Sequence, residues 1–328
     1  MIQPQVFPAP PFPAHALLDA GGGWKLERFG DVTLARPDPQ ALWRPRLPRA
    51  DWERADLTFE RESDRGGVWR PRSGLPKRLA GADAGWSVAF GAGTFLVRPT
   101  PFKHVGLFPE QATNWQLVGQ AVRELKGALD EPPRVLNLFG YTGAASVLAA
   151  LEGAAVTHVD ASRASITWTS ENADASGLGR SALRVICDDA LAFAAREVRR
   201  GSTYHVILLD PPHYGRGPKG EVWRFEEGFA PLVAAASQLL ADRALLVLST
   251  YAIGYSPLAL VNVLAELPGG AVEAGELALC EEPRAGLPSR MLPAGFCARW
   301  SRGLEAGAVG RRAGAAPSTP CALGDGLA

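Results

Sequence analysis

The sequence predicts an α/β protein, with a doubly wound sheet of seven strands behind a small β-rich N-terminal domain. Three observations carry this. From about residue 110, segments of helical and strand pattern alternate without a break. The strand segments are short apolar runs lacking period-2 alternation, as strands covered on both faces by helices should be. Before residue 100 the pattern is that of hairpins instead.

Residues 1–15, "MIQPQVFPAPPFPAH", are Pro-rich and are expected to lack fixed structure. Residues 16–100 form the β-rich domain. "WKLERFG" and "VTLARP" flank a Gly-Asp turn, and "WSVAFGAGTFLVRP" turns around Gly91 and Gly93, which gives two hairpins. Between them "SDRGGVWRPRSGLPKR" (63–78) sets Arg65, Arg70, Arg72, Lys77 and Arg78 around Trp69. Such a stretch either holds phosphates and stacks a base or is a solvated loop with its Trp tucked into the domain.

Residues 101–302 carry the alternating pattern. A helix over 110–129 ends before Pro132-Pro133, and "RVLNLF" (134–139) opens the sheet. "AVTHVD" (155–160), "LRVICDD" (183–189), "YHVILLD" (204–210) and "ALLVLST" (244–250) follow as strands, each separated from the next by a helical segment. "VEAGELALCEE" and "GFCARW" close the series as an antiparallel edge pair. Residues 303–328 are rich in small residues without hydrophobic period and are expected to form a disordered tail.

The 34 basic and 34 acidic residues give zero formal net charge, which excludes binding of nucleic acid through an overall field but leaves room for a local basic surface. The four cysteines have no metal-ligand spacing and no framework pattern, so no metal and no disulfide are expected and a reducing cytoplasm fits. No apolar run is long enough for a membrane span, and the N-terminal segment lacks the pattern of a signal peptide.

The chemistry collects at the strand ends, where open α/β sheets bind ligands. The first strand runs into "NLFGYTGAAS", in which Gly140 and Gly143 bracket a turn that opens a helix. Backbone N–H groups there can meet an anionic ligand. The second strand ends in Asp160, a carboxylate suited to two ribose hydroxyls. The third ends in Asp188-Asp189-Ala190, where one carboxylate can accept an adenine amine and one can cap the next helix, so the pair can serve both roles. The fourth ends in Asp210-Pro211-Pro212, and two prolines cannot continue a strand ladder.

Together "VLNLFGYTGAAS", "VTHVDAS…EN", "ICDDALAF" and "LLDPPHYGRGPKGEVW" resemble the motifs of class I S-adenosylmethionine-dependent methyltransferases. More narrowly, they resemble the bacterial family related to large-subunit ribosomal RNA cytosine methyltransferases. The likeness covers about residues 100–300. "FKHVGLFPEQ" (102–111) is similar to that family's K-T-G-[FY]-x-x-D-Q-R segment, with His104, Val105, Glu110 and Ala112 departing from it.

The resemblance implies a Rossmann-like methyltransferase sheet with S-adenosylmethionine as cofactor. Phe139, Gly140, Tyr141, Thr142 and Gly143 would hold the methionine part. Asp160 with Ala161, Ser162 and Asn172 would serve the ribose side, and Asp188, Asp189 and Ala190 the adenine, with Asp189 on its amine. Phe108 and Gln111 would help close over the cofactor. Asp210, Pro211, Pro212 and Tyr214 would form the catalytic segment, with Asp210 accepting hydrogen bonds from the acceptor. Tyr214 either stacks a flipped base or caps the core. Arg216, Lys219 and Trp69 are the candidate RNA contacts, and a solvated loop is the alternative for the first two.

The acceptor implied is RNA, ribosomal RNA first. A protein or small-molecule acceptor, a nicotinamide-dependent oxidoreductase and a non-catalytic RNA-binding module are the rivals. Carbon-5 chemistry on a pyrimidine needs a thiolate, and the family compared places a cysteine after the fourth or fifth strand. Here those positions read Asp210-Pro211-Pro212-His213 and Ser249-Thr250-Tyr251. The expectation is transfer without a cysteine nucleophile.

Overall fold

The computed structural model describes residues 5–63, 66–76, 79, 84–179, 181–251 and 254–305. They divide into two compact units, one of residues up to 7, Thr113–Leu277 and Gly295 onward, the other of Pro8–Ala112 with Ala278–Ala294.

In chain order the first elements are β1 (Gln5–Pro8), β2 (His15–Gly21), β3 (Trp24–Phe29), β4 (Val32–Pro37), α1 (Arg49–Trp52), β5 (Leu57–Ser63), β6 (Gly66–Pro71), β7 (Trp86–Phe90) and β8 (Gly93–Val97). Strands β2 to β6 form one five-stranded sheet in sequence order, and β7 and β8 a separate hairpin. Both hairpins read from the sequence are present, β3–β4 turning at Gly30 (φ 60°) and β7–β8 at Gly91 (φ 56°).

The second series is α2 (Ala112–Lys126), β9 (Arg134–Leu138), α3 (Ala144–Leu151), β10 (Ala155–Asp160), α4 (Arg163–Ala175), β11 (Leu183–Cys187), α5 (Ala190–Arg199) and β12 (Tyr204–Leu209). It continues with β13 (Tyr214–Arg216), β14 (Val222–Arg224), α6 (Phe225–Leu239), β15 (Leu240–Thr250), α7 (Pro257–Ala265), β16 (Ala271–Cys280) and β17 (Met291–Arg302). The main sheet has the order β1-β16-β17-β15-β12-β9-β10-β11. From β15 to β11 neighbours are parallel, and β17 lies antiparallel to β15. From β9 the chain winds outward through β10 and β11, then returns to the other side of β9 as β12. The order therefore reverses between β9 and β12, which creates the crevice where such sheets bind ligands. Leu136, Leu138, Val159, Phe193, Ile207, Leu246 and Trp300 are among the residues of the core around this sheet.

Three boundaries differ from the sequence expectation. The first fifteen residues are not without structure from residue 5 onward. β1 adds an eighth strand beside β16, with Gln5 Nε2 donating to Glu273 (3.1 Å) and the Arg299 guanidinium 4.0 Å above the Phe7 ring. An edge strand tolerates the flanking prolines because its outer N–H groups need no ladder partner. The 100/101 boundary moves to 112/113, and Ala278–Ala294 returns to the smaller unit. There Arg290 reaches both Glu281 (2.7 Å) and Asp19 (2.8 Å), an ion-pair cluster that joins residues far apart in sequence. The tail expected from 303 still packs up to Glu305, since Leu304 is buried and the Glu305 N–H donates to Glu124 (3.0 Å). The remainder of the expected tail lies outside the described residues.

The 63–78 stretch is in part strand β6. Trp69 meets Phe59 edge to face (5.3 Å) and donates its indole N–H to Thr100 O (2.8 Å). Arg70 pairs with Glu60 (2.8 Å) and Arg72 with Asp56 (3.0 Å). The tucked alternative describes this Trp, which packs inside its own unit. Arg65, Lys77 and Arg78 lie outside the described residues.

Candidate active site

The β9 end is a tightly wound turn. Phe139 (φ 58°), Tyr141 (φ 51°) and Gly143 (φ 83°) are left-handed, and for a side-chain-bearing residue that conformation costs about 1–2 kcal/mol. The surrounding structure holds it in place. The Gly140 N–H donates to Val159 O (3.0 Å), the Tyr141 N–H to Asp160 Oδ2 (2.9 Å), and Asn172 Nδ2 to Thr142 O (2.8 Å). The Phe139 ring rests against Trp223, centroids 4.9 Å apart.

Beneath the turn runs a buried polar chain that the sequence reading missed. Asn137 Nδ2 lies 2.9 Å from Ser146 Oγ, Ser146 Oγ 3.0 Å from His158 Nδ1, His158 Nε2 3.1 Å from Thr169 Oγ1, and Thr169 Oγ1 2.9 Å from Tyr141 O. One assignment gives each hydroxyl a single proton to donate: Asn137 to Ser146, Ser146 to Nδ1, Nε2–H to Thr169, and Thr169 to the Tyr141 carbonyl. That requires a neutral imidazole, and burial lowers the His158 pKa to about 4. The signal for this chain was slight, four polar residues inside apolar segments on β9, α3, β10 and α4.

Next to the turn, Gly143 is the N-cap of α3, whose first turn has no side-chain cap. At the β10 end Asp160 accepts from Tyr141 N–H and from Ser162 N–H (2.8 Å), while burial pushes its carboxyl up. A carboxylate has about four acceptor positions, and these two N–H groups fill two of them. Ser162 itself caps α4 through the Ser165 N–H (3.2 Å). Ala161 follows Asp160 in the same connection, and its carbonyl lies 3.5 Å from the Cys187 thiol.

At the β11 end the two carboxylates divide their tasks. Asp189 caps α5 by accepting the Ala192 N–H (2.7 Å), and Asp188 pairs with Arg196 and accepts the Asp189 N–H (2.9 Å). Ala190 is the first residue of α5 and is buried. Phe108 and Gln111 belong to the smaller unit, where the Gln111 N–H donates to Phe108 O (3.0 Å) and Phe108 leans on His104.

At the β12 end Asp210 is exposed and Pro211 buried. The segment after them is the hairpin β13–β14 rather than a loop, with Tyr214 opposite Arg224 and Arg216 opposite Val222. Trp223 Nε1 donates to Pro212 O (2.6 Å), and the Phe225 N–H to His213 O (3.0 Å). These bonds and the Trp223–Phe139 contact tie the Asp-Pro-Pro segment to the β9 turn. Tyr214 is 50% exposed, so its ring does not cap the core. His213 is paired with Glu226 (3.1 Å), and Arg216 and Lys219 are exposed. The described residues contain no cluster of three His, Cys, Asp or Glu side chains placed to hold a metal, and no helix long and apolar enough to cross a membrane.

An uncapped helix N-terminus, a carboxylate with acceptor positions to spare and an exposed carboxylate thus meet at one reversal point of a Rossmann-like sheet. The arrangement defines the cofactor end of a class I methyltransferase. Comparison with known proteins gives the family. The chain is 40% identical to a S-adenosylmethionine-dependent methyltransferase from Agrobacterium tumefaciens of known crystal structure, covering 91% of this chain and 93% of that one with a TM-score of 0.84. The chain therefore belongs to the S-adenosylmethionine-dependent methyltransferases.

A structure described as a putative methyltransferase complexed with SAH shares the fold at 19% identity and a TM-score of 0.63, covering 87% of this chain and 75% of that one. Among curated proteins, "Ribosomal RNA large subunit methyltransferase K/L" of Shewanella frigidimarina is 32% identical over 157 residues, 47% of this chain. The protein of the same name from Syntrophotalea carbinolica is 31% identical over 157 residues, again 47% of this chain. The chain spans about a fifth of the length of these curated relatives, 21% and 20%. No family model matches the chain. The cofactor is S-adenosylmethionine, which sets the nicotinamide alternative aside.

Proposed function

We propose that this enzyme methylates RNA in the cytoplasm, with ribosomal RNA the first acceptor to test, at an atom that is nucleophilic without a cysteine adduct. The observation that carries the acceptor is the β12 end. An exposed carboxylate, Asp210, is followed by a half-exposed aromatic, Tyr214, on a hairpin bearing Arg216, Lys219 and Arg224. A flipped base stacks on such a ring while its polar edge meets the carboxylate, and basic side chains take the phosphates. The names of the curated relatives support the same acceptor class.

In this reading the residues divide as follows. The α3 N-terminus and the 139–143 turn receive the carboxylate of the methionine part, Asp160 the ribose, and the Asp188–Ala190 segment the adenine. S-adenosylmethionine supplies an already activated methyl group. The chain contributes alignment, exclusion of water and, through Asp210, a hydrogen-bond or proton acceptor for the attacking atom. No thiol serves. Cys297 is fully buried and burial pushes its thiol up, and Cys187 lies in β11, separated from β12 by β9 and β10.

Trp69, a candidate RNA contact in the sequence, is engaged within its own unit by Thr100 O and the Phe59 ring. The zero net charge favours one competing reading, a protein or small-molecule acceptor. Mass spectrometry of nucleosides from ribosomal RNA of a strain lacking the gene decides between them. One missing methylated nucleoside, restored by the wild-type gene, is expected. An unchanged nucleoside profile would remove ribosomal RNA as the acceptor.

A further inference from the structure

We infer that Tyr255 is a second stacking platform, holding an unpaired nucleobase that flanks the methylated nucleotide; this rests on the RNA reading above. β12 and β15 are parallel neighbours in register, Leu209 beside Leu248, so the connections after Asp210 and after Thr250 leave the sheet at the same edge. The two connections are also joined through rings. The Phe225 N–H is bonded to His213 O, which fixes Phe225 to the Asp-Pro-Pro segment. Phe225 stacks on Phe229 (4.5 Å, 16° between planes) and on Tyr255 (5.4 Å, 29°).

The row of rings passes from core to surface: Phe225 is 3% exposed and Tyr255 39%. Phe225 is the one ring that meets Tyr255 among the described residues. Tyr251 on the same connection and Leu258 in the first turn of α7 are also exposed, at 44% and 53%. A ring packed on one side and open to water elsewhere is set in orientation before its ligand arrives, which lowers the ordering cost of binding.

The occupant is inferred from the charges on the segment joined to this row of rings through Phe225. The hairpin that leads into Phe225 offers Arg216, Lys219 and Arg224, the last only loosely paired with Glu227 (3.4 Å). Planar rings beside basic side chains are the elements of a single-strand binding surface, in which bases stack and phosphates meet cations. An apolar peptide would have no use for the cations.

The test is steady-state methylation of ribosomal RNA from the gene-deleted strain by the full chain, wild type against Tyr255→Leu and Tyr255→Phe. Tyr255→Leu removes the π face but keeps apolar bulk. It should raise KM for RNA about 5- to 100-fold, the range expected for losing one stacked base. Affinity for S-adenosylhomocysteine and the melting temperature should stay as in the wild type. Tyr255→Phe, which keeps the ring, should lie much nearer the wild type than the Leu variant does. Wild-type KM and kcat in Tyr255→Leu would overturn the inference and leave the RNA reading standing. Wild-type enzyme that binds S-adenosylhomocysteine but methylates no RNA, or methylates protein instead, would overturn both.

Discussion

Gly140 lies against the ring of His158 with room for a hydrogen atom only. A Cβ at position 140 would stand 2.3 Å from His158 Cε1 and 2.5 Å from Nδ1. The ring cannot turn aside, because both of its nitrogens are engaged. The two residues therefore form one packing unit at the base of the cofactor turn.

Gly140→Ala should destabilise the protein by about 1–3 kcal/mol, as overpacking of a fixed site does. His158→Ala relieves the clash, so the double variant should be more stable than the sum of the single losses predicts, by at least about 0.5 kcal/mol. Urea denaturation of the four proteins measures this coupling, and strict additivity would mean the two groups do not press on each other.

Asp160→Ala should weaken binding of S-adenosylhomocysteine by on the order of 1.5–3 kcal/mol, through loss of charge-assisted hydrogen bonds to the ribose. The same change also takes the acceptor from the Tyr141 N–H, loosening the turn. Calorimetry gives the answer directly, and unchanged affinity would move the ribose site elsewhere.

Asp210→Ala should keep cofactor affinity while turnover falls at least tenfold, since its partner is the acceptor in the transition state. Single-turnover methylation beside calorimetry separates the two effects. Normal turnover would take Asp210 out of the chemistry.

A chain with Cys187, Cys280, Cys297 and Cys321 all changed to Ser or Ala should retain activity, given that it folds. Cys321 lies outside the described residues, Cys280 is half-buried, and the Cys297 thiol rests 3.5 Å from Asn114 Oδ1 in the core. Single replacements guard against misfolding of the quadruple variant. Turnover abolished by one of them, with melting temperature and cofactor binding intact, would identify a nucleophile and restore carbon-5 chemistry.

The strand ends were legible because a buried parallel strand announces itself as an apolar run, and whatever polar residue ends it stands out. Asp160, Asp189 and Asp210 were found in this way, and Asp189 proved to be the α5 cap that the sequence also allowed. The chain of Asn137, Ser146, His158 and Thr169 was not legible. Its members lie on four elements and meet only when the sheet order is known, so no local period marks them. The hairpin after Pro212 was hidden for another reason. Glycines and charges in "HYGRGPKGEVW" read as a loop, whereas long-range bonds from Trp223 and Phe225 give the segment its strands. Proline likewise masked β1, whose partner is β16, near the other end of the described chain.

That last pairing has a consequence for synthesis. Gln5 and Glu273 are 268 positions apart, and a Cβ at Gly275 would lie 1.8 Å from Gln5 O, so the two strands meet backbone to backbone. Among the described elements β1 leaves the ribosome first, yet its ladder waits until β16 is made. During that interval residues 5–8 have no place in the catalytic sheet, and any product lacking them presents β16 as a bare edge. A bare edge pairs with whatever strand it meets, including another copy of itself. The short Pro-flanked segment is thus a cover strip for β16, and its loss would appear as clumping during expression before it appeared as lost catalysis.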